Sequence, residues 1–130
     1  SLIMLDIDRF KQVNDTHGHA TGYAVLIQLA ERIRGLIRVT DIFGRYGGEK
    51  FIVFMPHTPL DDAVKLANRI REDVKKGSYS NLQITLSMDV SVANEATRTL
   101  DDLIDTADVT LYEAKNAGRD RVEVSRTSIA

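Results

Sequence analysis

The sequence of 130 residues is 43% apolar and 28% charged, with no cysteine or tryptophan and a formal net charge of −2. That length suits one domain, 1–130, with a core that needs no metal or disulfide staple, and the missing cysteines exclude thiolate zinc sites and fit a cytoplasmic setting. The slightly acidic balance argues against broad nucleic-acid binding, no apolar run approaches the ~18 residues of a membrane span, and the first residues run into acids rather than a signal-peptide core.

Leu2 to Leu5 is a short apolar run ending on Asp6-Ile7-Asp8, which places carboxylates where a buried strand reaches solvent. Gly18 and Gly22 are expected to punctuate a loop before a long helix, in which Val25, Leu26, Leu29, Ile33, Leu36 and Ile37 recur at helical spacing. Ile42 to Tyr46 and Phe51 to Met55 read as a hairpin turning at Gly47-Gly48, with Tyr46 and Phe51 as core residues. A second helix is expected from Pro59, with Thr58 as N-cap, Leu60, Val64, Ala67, Ile70 and Val74 facing inward, and Gly77 as its end. Alternation of Ile84, Leu86, Met88 and Val90 predicts a strand over Gln83 to Val92.

Thr99 then caps a third helix with Leu100, Leu103, Ile104, Ala107, Leu111 and Ala114 inward, stopped by Gly118. Arg121 to Val124 makes a last strand, and the chain beyond about residue 124 is expected to fray. Strand, helix, hairpin, helix, strand, helix, strand is an α+β order, not a doubly wound parallel sheet.

Two groups of residues can carry chemistry. Asp6 ends the first strand and Glu49 sits at the hairpin turn, so the two acids meet if that strand lies beside the hairpin. Hard oxygen donors of this kind, with a main-chain carbonyl such as that of Ile7, suit magnesium that also holds phosphates. Gly47 and Gly48 let a phosphate chain approach the backbone, and Lys11, Lys115 and Arg119 are natural phosphate partners. Solvated carboxylates beside a glycine turn would present the same spacing. His17 and His19 read as structural rather than as metal ligands.

Three stretches make the pattern specific: Leu5-Asp6-Ile7-Asp8-Arg9-Phe10-Lys11-Gln12-Val13-Asn14-Asp15-Thr16-His17-Gly18-His19, Arg45-Tyr46-Gly47-Gly48-Glu49-Lys50-Phe51, and Leu111-Tyr112-Glu113-Ala114-Lys115-Asn116-Ala117-Gly118-Arg119. In this order they strongly resemble the GGDEF family of diguanylate cyclases. The resemblance implies the fold of nucleotidyl cyclases and the polymerase palm, a mostly antiparallel central sheet flanked by helices. It implies condensation of two GTP into cyclic di-GMP across a homodimer, under an upstream sensor domain. Asp6, the Ile7 carbonyl and Glu49 would hold two Mg²⁺ ions, with Glu49 also helping to remove the 3′-hydroxyl proton. Asn14 would read guanine, and Lys11, Lys115 and Arg119 would bind phosphate. Arg38-Val39-Thr40-Asp41, separated from Gly47 by five residues, resembles the family's inhibitory product site, with Arg69 as its secondary arginine.

The chain departs from the family at four places. Lys50 stands where a second carboxylate is usual, and its ammonium is expected to pair with Asp6 or Glu49 in place of one metal ion, or to point to solvent from an edge strand. Tyr23 replaces the aspartate that accepts from guanine, which weakens base discrimination. Asp89 stands where glycine is common, and a family segment with an Asp-x-Leu-Thr-like motif is missing ahead of Ser1. The resemblance therefore implies a cyclase of reduced activity. The alternatives are an inactive module that binds nucleotide or cyclic di-GMP, and a cyclase with relaxed base choice.

Overall fold

The computed structural model describes residues 1–93 and 99–125. Its strands and helices run β1 (Leu2–Ile7), α1 (Phe10–His17), α2 (His19–Arg34), β2 (Ile42–Arg45), β3 (Lys50–Phe54), α3 (Leu60–Lys76), β4 (Leu86–Ser91), α4 (Leu100–Asn116) and β5 (Arg121–Val124). The strands form one five-stranded sheet in the order β2-β3-β1-β4-β5. β4 and β5 are parallel and the other pairings antiparallel, giving the α+β, mostly antiparallel architecture expected.

β1 is central and buried along its whole length, so its alternate side chains serve two cores. Ile3, Leu5 and Ile7 pack with Val25, Leu29 and Ile33 of α2 and Ala67, Ile70 and Val74 of α3. Leu2 and Met4 pack on the other face against Leu103, Ile104, Ala107 and Leu111 of α4. Each large apolar side chain buried this way contributes roughly 1.5–3 kcal/mol. The next residue on the α4 face after Leu2 and Met4 is Asp6, so the strand period delivers a carboxylate to the rim of an apolar layer.

Several expectations need correction. The loop anticipated around Gly18 and Gly22 is two helices. α1 was hidden because only Phe10 and Val13 pack on the core, and Gly22 lies inside α2 rather than ending anything. The glycine that breaks the chain is Gly18, at φ +88°. α2 stops at Arg34, so Leu36 and Ile37 reach the core from the following turn. Pro59, not Thr58, occupies the N-cap of α3, because the Thr58 hydroxyl donates to Pro56 O at 3.1 Å and accepts from Arg38 at 2.7 Å.

β4 begins only at Leu86, after a short turn bridging Tyr79 and Leu82. α4 ends at Asn116, ahead of Gly118, and Leu100 is exposed rather than inward. Thr99 caps α4 as expected, in a reciprocal box with Asp102. Phe51 is a core residue, but Tyr46, on the open hairpin, is 44% exposed. Ser125 is buried, with its N–H on Val90 O at 3.0 Å, and the rest of the tail expected to fray lies outside the described residues.

Asp89 is the oddest core residue. Paired across from Met4, it is fully buried under α4, where Oδ2 accepts from the Ser91 hydroxyl at 2.6 Å and Oδ1 has no partner among the described residues. Burial pushes its carboxyl up to about 7, against hydrogen bonds from Ser91 and Thr110. The native chain thus keeps this proton up to about pH 7, whereas an unfolded chain gives it up near 3.8. Between those values the native state binds more protons, so Asp89's share of stability is complete below about pH 4 and is lost as pH rises through about 7. An Asp89→Asn variant should gain on the wild type by about 3 kcal/mol between pH 5 and pH 8 in denaturant titrations; a pH-independent difference would contradict this.

Candidate active site

Asp6 anchors the site. Its carboxylate is fully buried, Lys115 at the end of α4 donates to Oδ2 at 2.5 Å, and Oδ1 has no partner among the described residues. Burial raises the carboxyl to about 6, and the Lys115 hydrogen bond and charge oppose that rise. Glu49 precedes Lys50, the register partner of Asp6, and the Ile7 N–H reaches the Glu49 carbonyl at 3.4 Å. The negative charge of Glu49 acts on Asp6 in the same upward sense as burial. Asp6, Ile7 and Glu49 therefore lie together at one end of the sheet.

Lys50 does not pair as expected. Its ammonium reaches across to Asp108 of α4 at 3.3 Å rather than to Asp6 or Glu49. Nor does it point to solvent from an edge strand, because β3 is flanked by β2 and β1, and its side chain is 37% exposed. Its charge still acts favourably on ionised Asp6 from a distance. Asp108 carried no motif in the sequence; only the register of β3 beneath α4 brings it to Lys50.

The hairpin turn is stiffened from within. Tyr46 N–H bonds to Lys50 O at 2.7 Å, Gly47 takes φ +80°, and the Arg45 guanidinium folds back onto the carbonyls of Gly47 and Gly48 at 2.7–3.1 Å. Glycine is needed at 47 because side-chain-bearing residues rarely adopt that φ. Beside this turn, a cleft of about 560 Å³ is lined by Phe10, Lys11, Asn14, His19, Tyr23, Leu26, Arg45, Gly48 and Glu49.

Asn14 rests directly on α2. A Cβ at Gly22 would stand 1.8 Å from its Oδ1, so Gly22 is there to make room for that amide. Tyr23, 60% exposed, stands at the same cleft. Lys11 lies at its rim, whereas His17 belongs to a different cleft, beyond α1. Arg119 follows α4 in a turn at φ +62°, half-buried and with no side-chain hydrogen bond or ion pair among the described residues.

The second group also assembles. Arg38 Nη2 meets Asp41 Oδ1 at 3.3 Å and Thr58 Oγ1 at 2.7 Å, while Arg38 N–H donates to Asp41 Oδ2 at 2.8 Å. Asp41 is buried, unlike the acid of an ordinary surface salt bridge. Arg38 and Arg69 line one cavity of about 280 Å³ with Thr58, Asp62 and Lys65.

The model of the family described as diguanylate cyclase, GGDEF domain, matches residues 1–121. The chain belongs to the GGDEF family. It is 44% identical over 123 residues to the diguanylate cyclase DgcM of Escherichia coli, covering 94% of this chain but 30% of that protein, so it spans under a third of that relative's length. Among solved structures, the active GGEEF domain of a diguanylate cyclase from Vibrio cholerae superposes with TM-score 0.88 at 35% identity, over 96% of this chain and 81% of that one. The GGDEF domain of DgcB from Caulobacter crescentus, solved in complex with c-di-GMP, superposes with TM-score 0.87 at 30% identity, over 95% and 76%.

Within this GGDEF domain, the donor chemistry fits one hard cation better than two. Asp6 offers a buried Oδ1 that is unpartnered among the described residues and Glu49 lies beside it, but the residue after Glu49 brings an ammonium instead of a further carboxylate. Lys115 is what lets Asp6 ionise despite burial. Lys115→Met should therefore move the Asp6 titration midpoint upward from about 6, as read by carboxyl NMR. An unmoved midpoint would show that Lys115 does not stabilise the carboxylate.

Proposed function

We propose that this GGDEF domain binds GTP at the Asp6–Glu49 end of the sheet and, as a homodimer, condenses two GTP into cyclic di-GMP with reduced turnover. One observation carries the reading: the Oδ1 of buried Asp6, without a partner among the described residues, lies beside Glu49, next to a cleft whose wall presents the Asn14 amide. The 3′-hydroxyl of one nucleotide attacks the α-phosphorus of the other, a phosphorus–oxygen bond forms, and pyrophosphate leaves. Glu49 is the group placed to take the hydroxyl proton. Lys115, Arg119 and Lys11 hold phosphate oxygens, Gly47 and Gly48 let the chain of phosphates approach the turn, and Asn14 bonds the base. Asp6, Glu49 and the Ile7 carbonyl would hold magnesium, which when bound neutralises phosphate charge and makes the attacking hydroxyl more acidic.

Reduced turnover follows from Lys50 and Tyr23. An ammonium stands at the site in place of a ligand, and a phenol stands in place of a two-fold acceptor for guanine. The second change also relaxes discrimination between purines. No helix among the described residues is long and apolar enough to cross a membrane. The proposal also makes this a cytoplasmic catalytic domain under an upstream sensor, on the strength of its family. Supplied with GTP and Mg²⁺, the Lys50→Glu/Tyr23→Asp double variant should form cyclic di-GMP at least about tenfold faster than the unaltered protein. Equal rates would refute the assignment of the deficit to these residues.

A second reading, a regulatory module that binds cyclic di-GMP without making it, is favoured by the cavity shared by Arg38 and Arg69. Arg38 can fork onto guanine or phosphate acceptors once its guanidinium leaves Asp41. Arg38→Ala keeps the main-chain N–H that holds Asp41, so it removes the fork and spares the turn. Calorimetry should show cyclic di-GMP affinity falling about tenfold or more in that variant, and unchanged affinity would remove this site from consideration.

A further inference from the structure

Asp8, the residue after β1, is buried with both of its carboxylate oxygens hydrogen-bonded. Its Oδ1 accepts from the Ser87 hydroxyl at 2.5 Å, and its Oδ2 accepts from the Thr85 hydroxyl at 2.6 Å and from the main-chain N–H of Asp120 at 3.0 Å. The hydroxyls fix the carboxylate against β4, leaving the Asp120 contact as its reach to another part of the chain. That contact lands on an unusual piece of backbone. Gly118, Arg119 and Asp120 have φ of +125°, +62° and +43°, so two consecutive residues with side chains hold a conformation that L-residues avoid.

Such a conformation persists only where its surroundings over-determine it. Here they do. Arg119 N–H bonds to Ala114 O at 3.1 Å, and Arg119 O accepts from Arg121 Nε at 3.2 Å. The Asp120 carboxylate is held from α3 by Arg71 at 3.0 Å and Lys75 at 2.5 Å. Every fixed group belongs to the turn's main chain or to Asp120, and the turn presents Arg119, whose side chain has no partner among the described residues. It follows Lys115, which holds Asp6, by four positions.

We propose that Asp8 is a positioning residue: by gripping the main-chain N–H of Asp120 it locks the left-handed turn that presents Arg119 to the phosphates of a nucleotide bound beside Asp6. The inference rests on the proposed GTP site. A buried acid that merely ties β1 to β4 would stabilise the fold without acting through Arg119, and a double-mutant cycle separates the two roles.

The test is GTP affinity in the presence of Mg²⁺, by titration calorimetry on the whole chain, with thermal unfolding as the control for folding. Arg119→Ala and Asp8→Ala should each weaken GTP binding about tenfold, and the double variant should be no weaker than Arg119→Ala alone. Asp8→Asn, whose amide can still accept from Asp120 and donate to the Ser87 oxygen, should bind GTP as the unaltered chain does. Should Asp8→Ala fail to fold, Asp8→Ser carries the same expectation, because its hydroxyl can meet Thr85 or Ser87 but is too short to reach Asp120. Losses that add in the double variant, or full GTP affinity in the Asp8→Ala or Asp8→Ser chain, would overturn the inference and leave the GTP site standing. No GTP binding by the unaltered chain would overturn the proposed function, and this inference with it.

Discussion

The site depends on a carboxylate that burial disfavours. Asp6 continues the Leu2–Met4 row on the α4 face of β1, so the alternation that builds the core also drags an acid out of water. Such a group stays ionised only if a cation is brought to it. Lys115 does this because it lies one helical turn beyond Leu111 on the core-facing stripe of α4, as Asp6 lies one strand repeat beyond Met4. On β3, Ile52 is followed two residues back along the strand by Lys50, which Asp108 meets from the same helix. The apolar layer between α4 and the sheet thus ends in two ion pairs of opposite sense, and the register opposes Asp6 to Lys50 between them.

That arrangement gives the altered signature a physical meaning. An ammonium at position 50 does not collapse onto the acids of the site, because α4 supplies Asp108 as an alternative. Among the described residues Asp6 therefore keeps one oxygen open, while the total positive charge nearby is higher than a row of carboxylates would leave it. Asp89 extends the theme deeper into the same layer. Met4 is flanked by Ile52 on one side and by a buried acid on the other, and with buried Ser91, Thr110 and Ser125 this acid makes a polar patch in the layer beneath α4.

Much of this was legible in the sequence, for identifiable reasons. The strands and the long helices announce themselves through period, and the glycine pair with Glu49 marks the hairpin that lies against β1. α1 was not legible because its exposed side chains, Lys11, Gln12, Asp15, Thr16 and His17, leave too little apolar face to read as a helix. Tyr46 is exposed against expectation because it lies just past β2, on a hairpin that projects beyond the end of β1. The partner of Lys50 was out of reach altogether. It sits 58 residues away, and nothing local to Asp108 distinguishes it from the other acids of α4.

The contact between Asn14 and Gly22 has a consequence for how this chain can vary. With 1.8 Å between the amide oxygen and the place a methyl group would take, the two positions are not independently replaceable. A larger residue at 22 displaces that amide, either by swinging the Asn14 side chain aside or by requiring a shorter residue at 14, and both surrender its place at the cleft. Any lineage that retains the polar group is therefore committed to a bare backbone on the helix beneath it, and that helix carries a glycine in its interior despite the roughly 1 kcal/mol such a residue costs relative to alanine.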